Sequence, residues 1–373
     1  MMPLLAFPVE ILGLVLENLN ICDLWNVYDS CEALRLSSAR YLFRALEIRF
    51  DRAYPAVLNS RPFPLSPNRL LKMVTQWSLY VRKVDVWGDE DFLQQEFLDV
   101  LATLVNLRTF SYPPSLASFQ TLLVRLGALP SLRSLSVDFM SPRIWTVPVT
   151  FNHLRQLHLF CIEHEPGLCI LPSLPVLEAL ALNFCCYCLE RLRHGEGPCT
   201  MLQFHQFPQL HSLSISGAQR GSVIWRGRAS QLRRLEITFS NGIDLHSWLT
   251  CVGINLEELY ISDCGFVKEN SLASLVAFPA LRHVRILDSV SGLSSFSSCA
   301  EVPSSTELCL RIYPNDFEDL DDWSLIWKLL ARNPVFLSLA GSRTLRYPLD
   351  PTSRLSQITS QPQTLVSLLG SSS

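Results

Sequence analysis

A phrase of three apolar residues, the second and third lying three and five positions after the first, recurs along this chain at a nearly constant interval. It reads Val81, Val84, Val86; Leu107, Phe110, Tyr112; Leu132, Leu135, Val137; Leu154, Leu157, Leu159; and Leu177, Leu180, Leu182. It continues as Leu210, Leu213, Ile215; Leu232, Leu235, Ile237; Leu256, Leu259, Ile261; and Leu281, Val284, Ile286. Successive starts are 26, 25, 22, 23, 33, 22, 24 and 25 residues apart. Self-similarity at a period in the twenties means that one structural unit is repeated, each burying its apolar side only against its neighbours.

The last two residues of each phrase are two positions apart, which puts them on one face of a strand. Each phrase is therefore predicted to be a short parallel strand. The remainder of each period is predicted to be a turn, a helical cover and a second turn. Phe92, Leu93, Phe97, Val100, Leu101 and Leu104 follow 3.6-residue spacing, as do Leu116, Phe119, Leu122, Leu123 and Leu126. Later covers are expected at Leu245, Trp248, Leu249 and Val252, and at Leu272, Leu275 and Val276. The phrase L-x-x-L-x-L at this period resembles the leucine-rich repeat. That resemblance implies an α/β solenoid, a horseshoe with parallel strands on its concave side and helices on its convex side, which binds other molecules and brings no chemistry of its own.

Around this array the chain divides. Residues 1–50 form an apolar-periodic helical segment, and residues 51–75 a junction containing Pro55, Pro62, Pro64 and Pro67, which break regular structure. The array runs over 76–345, and residues 346–373, rich in Ser, Thr and Gln, are expected to be disordered. Towards the end the phrase decays to Leu308–Leu310 and Leu337–Leu339, separated by an acidic stretch of Asp316, Glu318, Asp319, Asp321 and Asp322. A solvated terminal cap accounts for that stretch, since an end repeat must hide the core on its outer side.

Composition narrows the function. Net charge is -3, which gives no reason to expect nucleic acid or an anionic membrane as partner. No run approaches the ~20 apolar residues needed to span a bilayer. The apolar stretch from Ile11 to Leu16 lies between Glu10 and Glu17, without the basic flank of a signal peptide. An intracellular protein, cytoplasmic or nuclear, with its 12 cysteines reduced is the expectation. Cys185 and Cys264 each fall eight positions after the first leucine of a phrase, a slot for a small buried residue. The alternative is a zinc site of Cys185, Cys188, Cys199 and His205 in the 33-residue period; against it, neighbouring strand residues point to opposite faces. No phosphate-binding glycine loop, nucleophile elbow or paired-histidine helix is present, so neither catalysis nor a cofactor is expected.

The first segment reads Phe7-Pro8-Val9-Glu10-Ile11-Leu12, then Val15-Leu16, Leu19, Asp23-Leu24-Trp25, Ser30-Cys31 and Leu42-Phe43. Pro8 opens a helix whose apolar positions Ile11, Leu12, Val15, Leu16 and Leu19 share a face, and Asp23 is placed to cap a second helix from Leu24. The pattern resembles the F-box, with Phe7 at the place of its first leucine. F-box first and leucine-rich repeats second is the order of a family of substrate receptors in SCF-type ubiquitin ligases. The resemblance implies that Pro8, Ile11, Leu12, Val15, Leu16, Leu19 and Leu24 contact the Skp adaptor, and through it a cullin and RING ligase. The repeats would then hold a target protein near the ubiquitin-conjugating enzyme. The competing reading is a leucine-rich-repeat interaction scaffold unconnected with ubiquitin, its N-terminal helices a cap.

On each strand the second and fourth residues after the first apolar one should face outward. Over the middle phrases these are small or neutral, whereas the last three give Arg234 and Glu236, Glu258 and Tyr260, His283 and Arg285. Arg234, Glu258, Tyr260 and Arg285 are the candidate anchors for a target, because Tyr and Arg dominate interface hot spots.

Overall fold

The structure, a computed structural model, describes residues 8–51, 54–58, 67–88, 95–112, 119–138, 149–162, 169–171, 173–184, 200–218, 223–243, 245–252, 254–262, 265–266, 279–287 and 307–311. The protein is α/β, with parallel strands forming its main sheet. The chain forms two compact units, Met1–Thr200 with Gln206–Gln209, and Met201–His205 with Leu210–Ser373.

The first unit begins with three helices, α1 (Val9–Glu17), α2 (Ile21–Ser30) and α3 (Glu32–Leu42). Pro8 stands at the N-cap of α1, and its carbonyl accepts from the N–H of Leu12 at 3.0 Å. Helix α2 starts earlier than Asp23 alone would suggest. Asn20 caps it, its Oδ1 accepting from the N–H of Asp23 at 2.9 Å while its Nδ2 donates to Asp23 Oδ2 at 2.5 Å. Asp23 thus occupies the third helical position, where its N–H is capped and its carboxylate accepts from the capping side chain itself.

The strands follow: β1 (Ala45–Asp51), β2 (Tyr54–Leu58), β3 (Lys83–Gly88), β4 (Thr109–Tyr112), β5 (Ser134–Asp138), β6 (Gln156–Ile162), β7 (Cys169–Ile170) and β8 (Ala179–Phe184). Strands β1, β3, β4, β5, β6 and β8 are parallel neighbours in that order, and β2 runs antiparallel on the outer edge of β1. Helices α4 (Pro67–Gln76), α5 (Gln95–Thr103) and α6 (Phe119–Gly127) fill the connections before β3, β4 and β5 and pack in sequence against one another. They bury Leu70 and Val74, then Phe97, Leu98 and Leu101, then Leu122, Leu123 and Leu126. The apolar periodicity anticipated α5 and α6.

The second unit holds all but the first residue of β9 (Thr200–Gln203), and β10 (Ser212–Ser216), β11 (Val223–Arg226), β12 (Arg234–Thr238), β13 (Asn241–Ile243), α7 (Leu245–Cys251), β14 (Glu258–Ser262), β15 (Gly265–Phe266), β16 (His283–Leu287) and β17 (Glu307–Arg311). Strands β10, β12, β14, β16 and β17 are parallel and in register. Connections here differ from the helical covers expected. β9 pairs with β11, and β13 with β15, as short strands outside the main sheet. The Val-Ile-Trp run of β11 favours an extended backbone over a helix. Of the later covers, α7 forms, while Leu272, Leu275 and Val276 lie outside the described residues, as do the acidic stretch at 316–322, Leu337–Leu339 and the tail.

The repeated phrase builds the core. From Val81 to Leu281, every phrase residue whose side chain is described is buried. Each such side chain contributes about 1.5–3 kcal/mol on burial. Register is held by a recurring backbone clasp. The carbonyl of the residue after each first apolar position accepts two consecutive N–H groups of the next strand: Arg44 from Arg82 and Lys83 at 2.9 and 3.1 Å, Arg82 from Arg108 and Thr109 at 2.7 and 3.0 Å. Arg108, Arg133 and Arg155 repeat it in the first unit, and His211, Arg233 and Glu257 in the second. Both lone pairs of the carbonyl are used, so a slipped register would orphan them.

The sheet also starts earlier than the periodic phrases. Leu46 pairs with Val84 and Ile48 with Val86, and Phe43, Leu46 and Ile48 are buried. Phe43, Leu46 and Ile48 are therefore a phrase in their own right, hidden in the sequence because Phe43 also ends a helical pattern and the next start is far away. The slot eight positions after the first apolar residue is filled by Ala218 and Ser240, both buried, with Ser240 Oγ accepting from the Ala218 N–H at 3.0 Å. Cys185 and Cys264, in the same slot of other periods, lie outside the described residues.

Candidate protein-binding surfaces

Helix α1 is apolar on two sides. Leu12 and Leu16 are buried against the unit, and Gly13 lies so close to α3 that a Cβ there would come within 2.9 Å of Arg40 Nη2 and 3.0 Å of the Tyr41 hydroxyl. On its outer side Ile11, Leu14 and Val15 occupy positions i, i+3 and i+4 and form one stripe, 43%, 58% and 41% exposed, with Val9 at 62% nearby. A surface helix ordinarily turns a polar face to water, and one apolar on both faces is ordinarily covered on both.

The candidate adaptor residues are accordingly split. Pro8, Ile11 and Val15 are exposed, Leu19 is half-buried, and Leu12, Leu16 and Leu24 are internal packing. Leu14 was missed by the sequence reading because the family pattern does not single it out, although its i, i+3 spacing from Ile11 was visible.

The helices are also fastened to the sheet. Trp25, Tyr28, Phe43 and Trp77 are buried together: Tyr28 meets Trp25, Phe43 and Trp77 edge-on at 5.5, 5.6 and 6.2 Å between centroids, and Phe43 stacks on Trp77 at 5.8 Å. The indole Nε1 of Trp77 donates to the Tyr28 hydroxyl at 3.1 Å. This contact joins α2 to the turn that leads into β3, across 49 residues of chain.

On the strand face of the second unit, register aligns Arg234, Glu258 and His283 in one row across β12, β14 and β16, and Glu236, Tyr260 and Arg285 in another. Arg234 is shared between two carboxylates, Nη2 to Glu236 Oε2 at 3.3 Å and Nη1 to Glu258 Oε2 at 3.8 Å. Two of the four proposed anchors, Arg234 and Glu258, thus already engage each other, and Glu236 completes the clasp. Tyr260 is half-buried, and Arg285 is its neighbour on β16 by backbone register. Exposed pairs of this kind are worth ~0–1 kcal/mol and exchange readily for intermolecular partners.

The first unit's strand face carries Lys83 paired to Asp85 at 2.6 Å, then Thr109, Ser111, Ser134, Ser136, Gln156 and His158. Burial lowers the pKa of His158 below its ordinary value, since desolvation disfavours the imidazolium. That favours a neutral centre for this face at neutral pH.

Of the zinc alternative, His205 is exposed in a 3-10 turn at Phe204–Gln206, and Cys185, Cys188 and Cys199 lie outside the described residues. Among the described residues no group of three or more His, Cys, Asp or Glu side chains could hold a metal ion, and no helix is long and apolar enough to cross a membrane. No protein-family model matches the chain, and no curated protein is significantly similar to it.

Proposed function

We propose that this protein is a non-catalytic substrate-recognition subunit of an SCF-type ubiquitin ligase, with α1–α3 as an F-box that docks on the Skp adaptor and a leucine-rich-repeat solenoid that holds a target protein. The observation that carries this reading is the outward stripe of Ile11, Leu14 and Val15 on a helix whose other side is already packed. Such a stripe calls for a protein partner, and a second apolar surface that meets it would remove the stripe from water. The parallel, in-register phrase strands support a repeat solenoid that presents an extended surface. Recognition would then act by proximity, raising the concentration of target lysines at another enzyme's active site.

The fastening of α2 to Trp77 favours a second reading, in which the helices only cap a repeat scaffold unconnected with ubiquitin. A pull-down of purified Skp adaptor with the full chain separates the two. The double variant Ile11→Asp/Leu14→Asp alters only exposed positions, so its melting temperature should stay within about 2 °C while adaptor capture falls at least about tenfold. Leu16→Ala, a buried change, should instead cost about 2–5 kcal/mol of stability. A folded wild-type chain that captures no adaptor sinks the ligase reading and leaves the cap.

A further inference from the structure

The residue after each first apolar position does more than clasp the next strand. In the first unit this position is Arg44, Arg82, Arg108, Arg133 and Arg155 on five successive parallel strands, then Glu178. Adjacent strands lie about 4.8 Å apart, so five arginines stand in single file along the N-terminal end of the sheet, over about 19 Å.

The far end of the file is neutralised: Arg155 Nη1 meets Glu178 Oε1 at 2.8 Å, and Arg133 Nη1 donates to the carbonyls of Pro130 and His153 at 3.3 and 3.2 Å. The near end is not. Arg44, Arg82 and Arg108 are exposed, and among the described residues no ion pair or side-chain hydrogen bond holds their guanidinium groups. The acidic side chains closest in sequence are engaged elsewhere, Glu47 with Arg49 and Asp85 with Lys83. The second unit shows the contrast within itself, since Arg233 at the same position is met by Glu257 at 3.7 Å on the next strand.

These three arginines, with Tyr41, Lys83 and Thr109, line an open depression of about 320 Å³. Like charges this close lie within the Debye length of about 10 Å at 0.1 M salt, so they repel one another and attract any multivalent anion. Exposed apolar side chains flank them. Leu79 and Tyr80 precede Arg82, Val105 precedes Arg108, and Asn106 Nδ2 donates to the Leu79 carbonyl at 2.8 Å, joining the two turns.

We propose that this file of arginines is a docking surface for an acidic polypeptide segment, bound in extended form across the strand ends. Three extended residues span about 10 Å, the distance from Arg44 to Arg108 across three strands. Carboxylates of the segment would meet Arg44, Arg82 and Arg108, while its aliphatic side chains cover Leu79 and Val105. The aliphatic Leu79 and Val105 favour a peptide with apolar side chains over a single-stranded nucleic acid, whose bases stack on aromatic rings. The proposal uses none of the residues of the Ile11, Leu14 and Val15 stripe or of the Arg234 cluster, and does not depend on the ligase reading.

The test is fluorescence anisotropy of a labelled octapeptide of alternating Glu and Leu with the full-length protein at 50 and 300 mM salt. Binding that weakens with salt, falls at least about tenfold in Arg82→Glu/Arg108→Glu, persists in Arg82→Lys/Arg108→Lys, and is unchanged in Arg226→Glu/Arg228→Glu supports the proposal. Melting temperatures verify that each variant is folded. Equal losses in both charge-reversed pairs, or no binding at 50 mM salt, overturn it. Tighter binding of a labelled twelve-residue oligothymidylate through the same arginines also overturns it, in favour of a nucleic-acid surface.

Discussion

Two residues show how single positions bear on stability. Gly217 and Phe239 follow the registered strand ends Ser216 and Thr238, and each donates its N–H to the carbonyl one strand further on. Both have positive φ, +71° at Gly217 and +48° at Phe239. Glycine takes this backbone freely, whereas a bulky residue pays about 1–3 kcal/mol there. Phe239 is 65% exposed and gains little from packing in return. Phe239→Gly is therefore expected to stabilise the protein by about 1 kcal/mol in urea unfolding; a loss of stability would mean that packing of the ring outweighs the backbone strain. His158 acts through protonation. Because burial lowers its folded pKa below the ordinary value of about 6.5, the unfolded chain binds its proton more readily. Stability then rises with pH across the window between the folded and unfolded values, and is lost as pH falls from neutrality into it. Replacing it by His158→Gln should shrink the difference in melting temperature between pH 7.5 and 5.5, and an unchanged difference would assign the acid sensitivity to other groups.

Among elements, the telling relation is between α2 and the sheet. Removing the Tyr28 hydroxyl leaves the buried Trp77 indole N–H without its acceptor, at a cost of about 1–3 kcal/mol. Tyr28→Phe should lower the urea midpoint accordingly, and the destabilisation should be shared by α2 and by β3 amides in hydrogen exchange; a loss confined to the helices would separate them from the sheet. β1 binds the two parts as well, since it follows α3 directly and pairs residue for residue with β3. A truncation at residue 50 would remove most of β1 and the Trp25, Tyr28 and Phe43 rings together with α1. The exposed stripe on α1 is thus the cleaner place to probe partner binding. Capping shows the same dependence on context. Asp23 looked like a cap by residue type, but Asn20, three residues earlier, is also a good cap and holds both the N–H and the carboxylate of Asp23.

At the scale of the molecule, the repeat period settled most of the architecture. Phrase residues at steps one, four and six are buried because a parallel strand flanked by like strands has nowhere else to put them. Local spacing carried that information, so α/β class, strand positions, α5 and α6 were legible from residues alone. The residue after each first apolar position, Arg44 to Arg155, stands in the sequence too, but only alignment of the strands reveals that these charges adjoin one another and that Arg155 is paired with Glu178 while Arg44, Arg82 and Arg108 have no side-chain partner among the described residues. Three things required tertiary structure. The strand at Phe43–Ile48 stands out of period, and only its pairing with β3 identifies it. Whether a connection is helical or extended in the short periods depends on neighbouring strands such as β9 and β11, whose pairing is non-local. Which apolar residues of α1 face inward was undecided by an amphipathic pattern that runs nearly all round the helix. Periodicity is a local property of the chain and can be read along it. Partnership between distant side chains, Tyr28 with Trp77 or Arg234 with Glu258, comes into being only when folding brings them within a few ångströms.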